Sequence, residues 1–323
     1  MLYGIRVRIL IIGAAGMIGR KLVARLGEDG RLGDAELERL TLMDVEAPDP
    51  PPSGESFAGD LADPATAQRL VDGRPDVIVH LAAVVSGEAE ADFAKGYRVN
   101  LDGTRTLLET IRAAEYRPRL VLASSIAVFG APLPNPIPED FATLPLTSYG
   151  TQKAIDELLL ADYSRRGFVD GVGIRLPTIC IRPGAPNKAA SGFFSNILRE
   201  PLVGKEAVLP VPETVRHWHA SPRSAVGFCL RAATIDTEQI GPRRTLSMPG
   251  LSATVGEQIE ALRRAAGEAA VRLIRHEPDP QIMRMVGGWA AALDAGRAEQ
   301  LGFVAETSFD EIIRVHLEDE LHR

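Results

Sequence analysis

Val7-Arg8-Ile9-Leu10-Ile11-Ile12-Gly13-Ala14-Ala15-Gly16-Met17-Ile18-Gly19 decides how the rest of the chain is read. The run to Ile12 is apolar and rich in branched side chains, as a strand buried on both faces should be. From about Met17 to Glu28, Ile18, Leu22 and Leu26 recur on one helical face. The order is therefore strand, glycine turn, helix. In that setting Gly13 permits the tight turn, Gly16 lets backbone approach a pyrophosphate, and Gly19 lets helix pack on strand. The helix start, with Met17 and Ile18, offers amide donors and a partial positive charge to phosphates. A short apolar run that enters a glycine loop directly reads as a buried strand and not as a signal peptide.

The same alternation continues outward. Leu40 to Asp44, Val77 to Ala82, Leu120 to Ser125 and Val172 to Leu176 read as further strands. Pro64 to Val71, Phe93 to Ala114 and Ser148 to Arg165 read as the helices between them, with Pro64 suited to a first turn. Leu107, Leu108 and Ile111, and on the later helix Ile155, Leu158 and Leu159, are read as mostly core. Apolar strands alternating with helices imply an α/β fold, a Rossmann-type doubly wound parallel sheet. After about Thr178 prolines punctuate short elements. Residues 1–178 are thus expected to form the dinucleotide-binding domain, and 179–323 a smaller C-terminal mixed α/β substrate domain interleaved with it.

Asp44 ends the second strand, where a carboxylate accepts from the adenosine ribose hydroxyls and repels a 2'-phosphate. It lies further from the glycines than the usual twenty or so residues, and the segment from Asp29 to Glu38 accounts for the excess. Asp60, followed by Leu61, can accept from an adenine amino group, or simply cap a helix. Tyr149 and Lys153 are four apart at the start of a helix and share a face. A free phenol is a poor base at neutral pH, and an ammonium one turn away favours the phenolate. The pair suits acid–base work on an alcohol or carbonyl. Ser125 ends the preceding strand, at the edge where ligands bind. Such a Tyr–Lys spacing is common on solvated helices, and its weight here comes from the order in which glycine loop, acidic strand end, Ser, Tyr and Lys occur.

Over nearly its whole length the chain resembles the extended short-chain dehydrogenases/reductases, the NAD-dependent epimerase/dehydratase family. The resemblance is carried by Gly13–Gly19, Asp44, Asp60-Leu61, His80-Leu81-Ala82-Ala83, Asn100, Ser124 to Gly130, Tyr149 with Lys153, and Arg175-Leu176-Pro177. It implies NAD as cofactor, bound also by Leu81, Ala82, Ala83, Asn100, Tyr149, Lys153 and Pro177. It implies Ser125 as catalytic Ser, Tyr149 as acid/base, and Lys153 on the nicotinamide ribose. Phe129 stands where the family commonly has Tyr. A narrower resemblance, in 148–154, 171–179, 186–194 and 216–223, is to dehydrogenases of small sugar acids. It implies oxidation of a C2 hydroxyl to a 2-oxo acid. A nucleotide-sugar epimerase or dehydratase on the same fold is the first rival, although Ile126 sits where a dehydratase wants a carboxylate. A non-catalytic NAD-sensing protein is the second.

A sugar acid needs a cationic or strongly donating partner for its carboxylate. Candidates are Ser86, Asn187, Lys188, Ser191, Arg216 and His217, with Ser125 and Tyr149 on the reacting oxygen. His217-Trp218-His219 points two rings together only if it is a strand, and no Cys or carboxylate completes a metal set. No metal is expected. A net charge of -7 without a basic stripe argues against nucleic acid. No stretch nears the roughly 20 apolar residues that span a bilayer. Two unpaired cysteines fit a reducing compartment, and a cytoplasmic location is expected. Relatives often pair through the helices holding Leu107 and Tyr149, which implies a homodimer.

Overall fold

The computed structural model of the chain describes residues 5–184 and 191–322. In chain order its elements are β1 (Arg6–Ile12), α1 (Met17–Asp29), β2 (Arg31–Leu32), β3 (Ala35–Asp44), β4 (Gly54–Ala58), α2 (Pro64–Asp72), β5 (Val77–His80), α3 (Ser86–Ala91) and α4 (Phe93–Gly96). A π-helical turn (Tyr97–Asp102) leads to α5 (Gly103–Ala113), β6 (Arg119–Ser125), α6 (Ser148–Arg165), β7 (Asp170–Leu176) and β8 (Thr178–Ile179). Then come α7 (Gly192–Leu202), β9 (Ala207–Leu209), β10 (Arg216–Ala220), α8 (Pro222–Thr234), β11 (Thr245–Ser247) and β12 (Leu251–Thr254). The chain ends with α9 (Val255–Val271), β13 (Ile274–His276), α10 (Pro280–Val286), α11 (Gly296–Gln300) and α12 (Phe309–Leu321). Two compact units result. One comprises Met1–Ser125, Thr147–Arg175 and Val226–Leu246, the other Ile126–Leu146, Leu176–Ala225 and Ser247–Arg323.

The first unit is built on an eight-stranded sheet in the order β11-β7-β6-β5-β1-β3-β2, with β4 also on β3. The β1–β3, β1–β5, β5–β6 and β3–β4 pairings are parallel, and only the β2–β3 hairpin is antiparallel among the pairings whose register is defined. This is the Rossmann-type α/β sheet that the alternating pattern implies. From β1 the chain steps outward to β3 and β4, then returns to β5 on β1's other side, so strand order reverses at the carboxyl ends of β1 and β5. That reversal opens the crevice where ligands bind in such sheets. Leu10, Ile12, Ile78, Leu120 and Leu122 from the strands pack with Leu107, Leu108, Ile111 and Leu160 from α5 and α6. Burying each such side chain is worth about 1.5–3 kcal/mol.

Local differences from the sequence reading have physical causes. The excess before Asp44 is the β2–β3 hairpin, turned at Gly33 with φ +57°. The stretch from Phe93 to Ala114 is not one α-helix, since the π turn inserts an extra residue ahead of α5. On α6 Leu158 is 69% exposed and Ile155 and Leu159 are half-buried, while Gln152, Lys153, Asp156 and Glu157 are inside. A buried polar stripe needs partners from distant segments, and no apolar periodicity announces them.

The second unit holds a three-stranded sheet, β12-β10-β8, and the parallel pair β13–β9. Its core joins Phe193, Phe194, Ile197 and Leu198 of α7 to Ile259 and Leu262 of α9 and to Phe309, Ile312 and Ile313 of α12.

Candidate active site

The glycine loop turns between β1 and α1. Gly13 has φ +87°, and a Cβ there would lie 2.5 Å from the Ala82 N, so only glycine fits against the strand-end loop beyond His80. A Cβ on Gly19 would lie 2.4 Å from the Gly13 O and 2.7 Å from the Ala14 Cα. Its bareness thus lets the helix close on the loop itself. Gly16 is the N-cap of α1, and no side chain caps that end. The amides of the first turn are therefore left for a ligand. Met17 and Ile18 are half-buried there.

Parallel register aligns Ile12 with Met43 and with His80, and His80 with Leu122, so the loop, Asp44, Leu81-Ala82-Ala83 and Ser125 all emerge at one sheet edge. Leu81 and Ala82 both donate their amides to the Ile12 carbonyl, at 2.8 and 3.1 Å. Asp44 Oδ2 accepts from the Ala15 amide at 2.9 Å and Oδ1 from the Val45 amide at 2.7 Å. The carboxylate is thereby fixed beside the glycine loop. Asp60 accepts from the Ala62 amide at 2.9 Å and from Arg98 at 2.6 Å. Burial works to raise its pKa, but the Ala62 amide and Arg98 together hold the carboxyl below its usual range. Leu61 beside it is buried. A cradle closed to any Cβ at Gly13, an uncapped helix start and a fixed acidic strand end are what a dinucleotide requires.

Asn100 lies in the π turn, where such irregularities often serve a site. Its Oδ1 accepts from the Val84 amide at 2.7 Å, and its Nδ2 donates to the Val84 carbonyl at 3.0 Å and to Gln152 Oε1 at 2.7 Å. One side chain thus ties the loop after β5 to α6. Thr147 caps α6 by accepting from the Gly150 amide, and Glu90 of α3 accepts from the Ser148 amide. Tyr149 follows, half-buried, one turn before Lys153, which is only 2% exposed. Ser125, half-buried, is the last residue of β6. Ser86 opens α3, half-buried.

Beneath the tyrosine lies the polar stripe. Lys153 Nζ is 3.9 Å from Asp156 Oδ2. Burial pushes the Asp156 carboxyl up to about 7, against the pull of Lys153. His80 Nε2 and the Thr104 hydroxyl are 3.2 Å apart, and burial, then Lys153, push this histidine down to about 3, so it is neutral. Glu157 accepts from Ser124 at 2.5 Å and from Arg175 at 2.7 and 2.9 Å. That brace joins β6, α6 and β7 next to Ser125 and Lys153. Gln152, Asp156 and Glu157 were not singled out in the sequence. The only sign was that α6 carries four polar residues where a helix on a sheet would bury apolar ones.

The remaining candidates belong to the second unit. Pro177 is buried. Ser191 precedes α7, its Oγ 3.4 Å from Arg182 Nη2. Arg216 donates to the Ser252 carbonyl at 2.9 Å and pairs with Glu257 at 3.1 Å. His217, 2% exposed, stacks on Phe194 at 5.1 Å and bonds the Thr178 hydroxyl at 2.7 Å. Because β10 is a strand, His219 points the same way, edge-on to Phe194 and 3.1 Å from Gln258 Nε2. Burial holds both rings below the ordinary histidine value, His217 at about 4. Among the described residues no three His, Cys, Asp or Glu gather closely enough for a metal. Asn187 and Lys188 lie outside the described residues.

The fold, the glycine cradle and the Tyr–Lys helix have a counterpart among protein families. The chain belongs to the NAD dependent epimerase/dehydratase family, whose model matches residues 9–219. It is an NAD-dependent oxidoreductase acting on a CH–OH group. It is 48% identical over 317 residues to the D-erythronate dehydrogenase of Cupriavidus necator, covering 96% of this chain and 98% of that one. To the D-erythronate dehydrogenase of Haemophilus influenzae it is 38% identical, covering 97% and 100%. Among solved structures, that of a nucleoside-diphosphate-sugar epimerase from Agrobacterium tumefaciens is 67% identical with a TM-score of 0.97, covering 100% of this chain and 96% of that one. No described helix is long and apolar enough to cross a membrane.

Proposed function

We propose that the chain oxidises the C2 hydroxyl of a small sugar acid, D-erythronate, to the 2-oxo acid, with reduction of NAD. The observation that carries this reading is 48% identity, along 96% of the chain, to a D-erythronate dehydrogenase. NAD, when bound, accepts the hydride at its nicotinamide ring. The glycines at 13, 16 and 19, with Met17 and Ile18, hold its phosphates. Asp44 takes the adenosine ribose, Asp60 and Leu61 the adenine, and Leu81, Ala82, Ala83, Asn100 and Pro177 the remainder. Tyr149 as phenolate removes the hydroxyl proton, Ser125 bonds the substrate oxygen, and Lys153 favours the phenolate and holds the nicotinamide ribose. Ser86, Asn187, Lys188, Ser191, Arg216 and His217 are the candidates for the carboxylate and remaining hydroxyls. Residues 1–178 then serve NAD and 179–323 the substrate. Buried, unpaired Cys180 and Cys229 suit a reducing cytoplasm.

The 67% identical structure described as a nucleoside-diphosphate-sugar epimerase favours a second reading. An epimerase returns its hydride and leaves no net NADH. A screen of four- to six-carbon sugar acids and UDP-sugars therefore separates the two, with D-erythronate expected to give the fastest net NADH formation. Silence with every sugar acid and turnover of a UDP-sugar would reverse the preference. Tyr149→Phe should lose most of kcat, on the order of a hundredfold or more, while still binding NAD. Near-normal turnover by that variant would rule out the mechanism.

A further inference from the structure

Tyr149, Lys153 and Asp156 stand at i, i+4 and i+7 of α6, on one stripe of the helix. Lys153 and Asp156 are 2% and 0% exposed. Their 3.9 Å separation is ion-pair range but beyond a hydrogen bond, so the ammonium is attracted to the carboxylate without being locked to it. Neither Asp156 oxygen has a hydrogen-bond partner. The Thr104 hydroxyl donates to the Asn100 carbonyl at 2.8 Å and, behind Lys153, is the second group that favours the charged carboxylate. A buried carboxylate without donors costs several kcal/mol unless a charge compensates it, and Lys153 is the charge it has. The other groups bearing on the pair do not replace it. His80 of β5 is neutral. Glu157, on the same helix, is engaged by Ser124 of β6 and Arg175 of β7.

We propose that Asp156 is a positioning residue that competes with Tyr149 for the Lys153 ammonium and so sets how strong a base the phenolate is. The proposal deepens the reaction reading above and rests on its assignment of Tyr149 and Lys153. While Asp156 is charged it cancels part of the ammonium's field, and the phenolate that forms is the more avid for a proton. With that charge gone, the phenolate becomes the ammonium's principal counter-charge, forms more readily and pulls less strongly on the substrate hydroxyl.

Asp156→Asn removes the charge at nearly constant size. Asp156 is itself charged above about 7, so in that range the acid limb of the kcat–pH profile should move down, by up to about one unit, and the plateau fall by up to about threefold, with KM for the sugar acid unchanged. In the absence of NAD, phenolate absorbance, read as the difference from Tyr149→Phe, should appear at correspondingly lower pH. A limb and an absorbance that stay put or move upward would overturn the proposal. So would a lower kcat at an unmoved limb, which is what a structural role predicts. Asp156→Ser repeats the comparison if the Asn variant does not fold, and loss of the fold in both marks the carboxylate as structural and ends the idea. The absorbance measurement needs no turnover, so it judges the competition even if Tyr149→Phe were to disprove the reaction.

Discussion

Asp44, proposed to select NAD, is held firmly at the end of its strand. Both its oxygens are held by amides, from Ala15 of the glycine loop and from Val45. The side chain cannot swing aside to admit a 2'-phosphate without breaking those bonds. Asp44→Ala should weaken NAD by about tenfold, through lost charged hydrogen bonds worth roughly 1.5 kcal/mol, and NADP by much less. Titrating both cofactors against variant and parent checks this, and an unchanged ratio of affinities would remove Asp44 from cofactor selection. The turn at the glycine loop and the strand-end position of this aspartate were legible in the sequence because both are local. Strand, turn and strand end lie within a few residues, and glycine advertises a backbone that a Cβ would obstruct, as at Gly13.

Elements were less legible wherever their faces are satisfied from afar. The interior stripe of α6 is polar because His80, Asn100, Thr104, Ser124 and Arg175, from five other elements, surround it. Reading Leu158 as core followed apolar spacing alone. The π turn left no trace in composition. β10 is similar, for the sequence offered His217 as a donor to the substrate while the strand turns it onto Phe194. These buried rings make a measurable demand. His80, His217 and His219 are all held below the ordinary value of 6.5 by burial. Their stabilising contribution is complete above 6.5 and is lost as pH falls toward about 4, where the unfolded chain takes up three protons that the folded one refuses. Asp156, held up at about 7, works in the opposite sense across the same window by one proton. The histidines outnumber the carboxyl, so stability should fall as the pH is lowered through this window. Urea unfolding at about pH 7 and about pH 5 tests the sign, and a flat or rising stability on acidification would contradict it.

At the scale of the molecule, the sequence foresaw a parallel sheet followed by a mixed region. It did not foresee that 126–146 would join the second unit, nor that 226–246 would return to the first. Such exchanges are made by contacts between distant segments, which a linear pattern does not record. We propose a homodimer joined through α5 and α6, a reading supported by the exposed Leu158 on α6. Sedimentation at micromolar protein should give about twice 34.8 kDa, and a mass near the single-chain value would dismiss it.

The rim of the eight-stranded sheet bears on how copies can meet. One margin is the three-residue β11. On the other, β3 is covered by the two-residue β2 at its first two residues and by the five-residue β4 along its second half. A neighbouring polypeptide finds no long straight row of free amides and carbonyls on which to zip itself. Along this sheet, contact between copies falls to side chains, whose shapes select a particular mate, and runaway stacking of sheet upon sheet lacks a template.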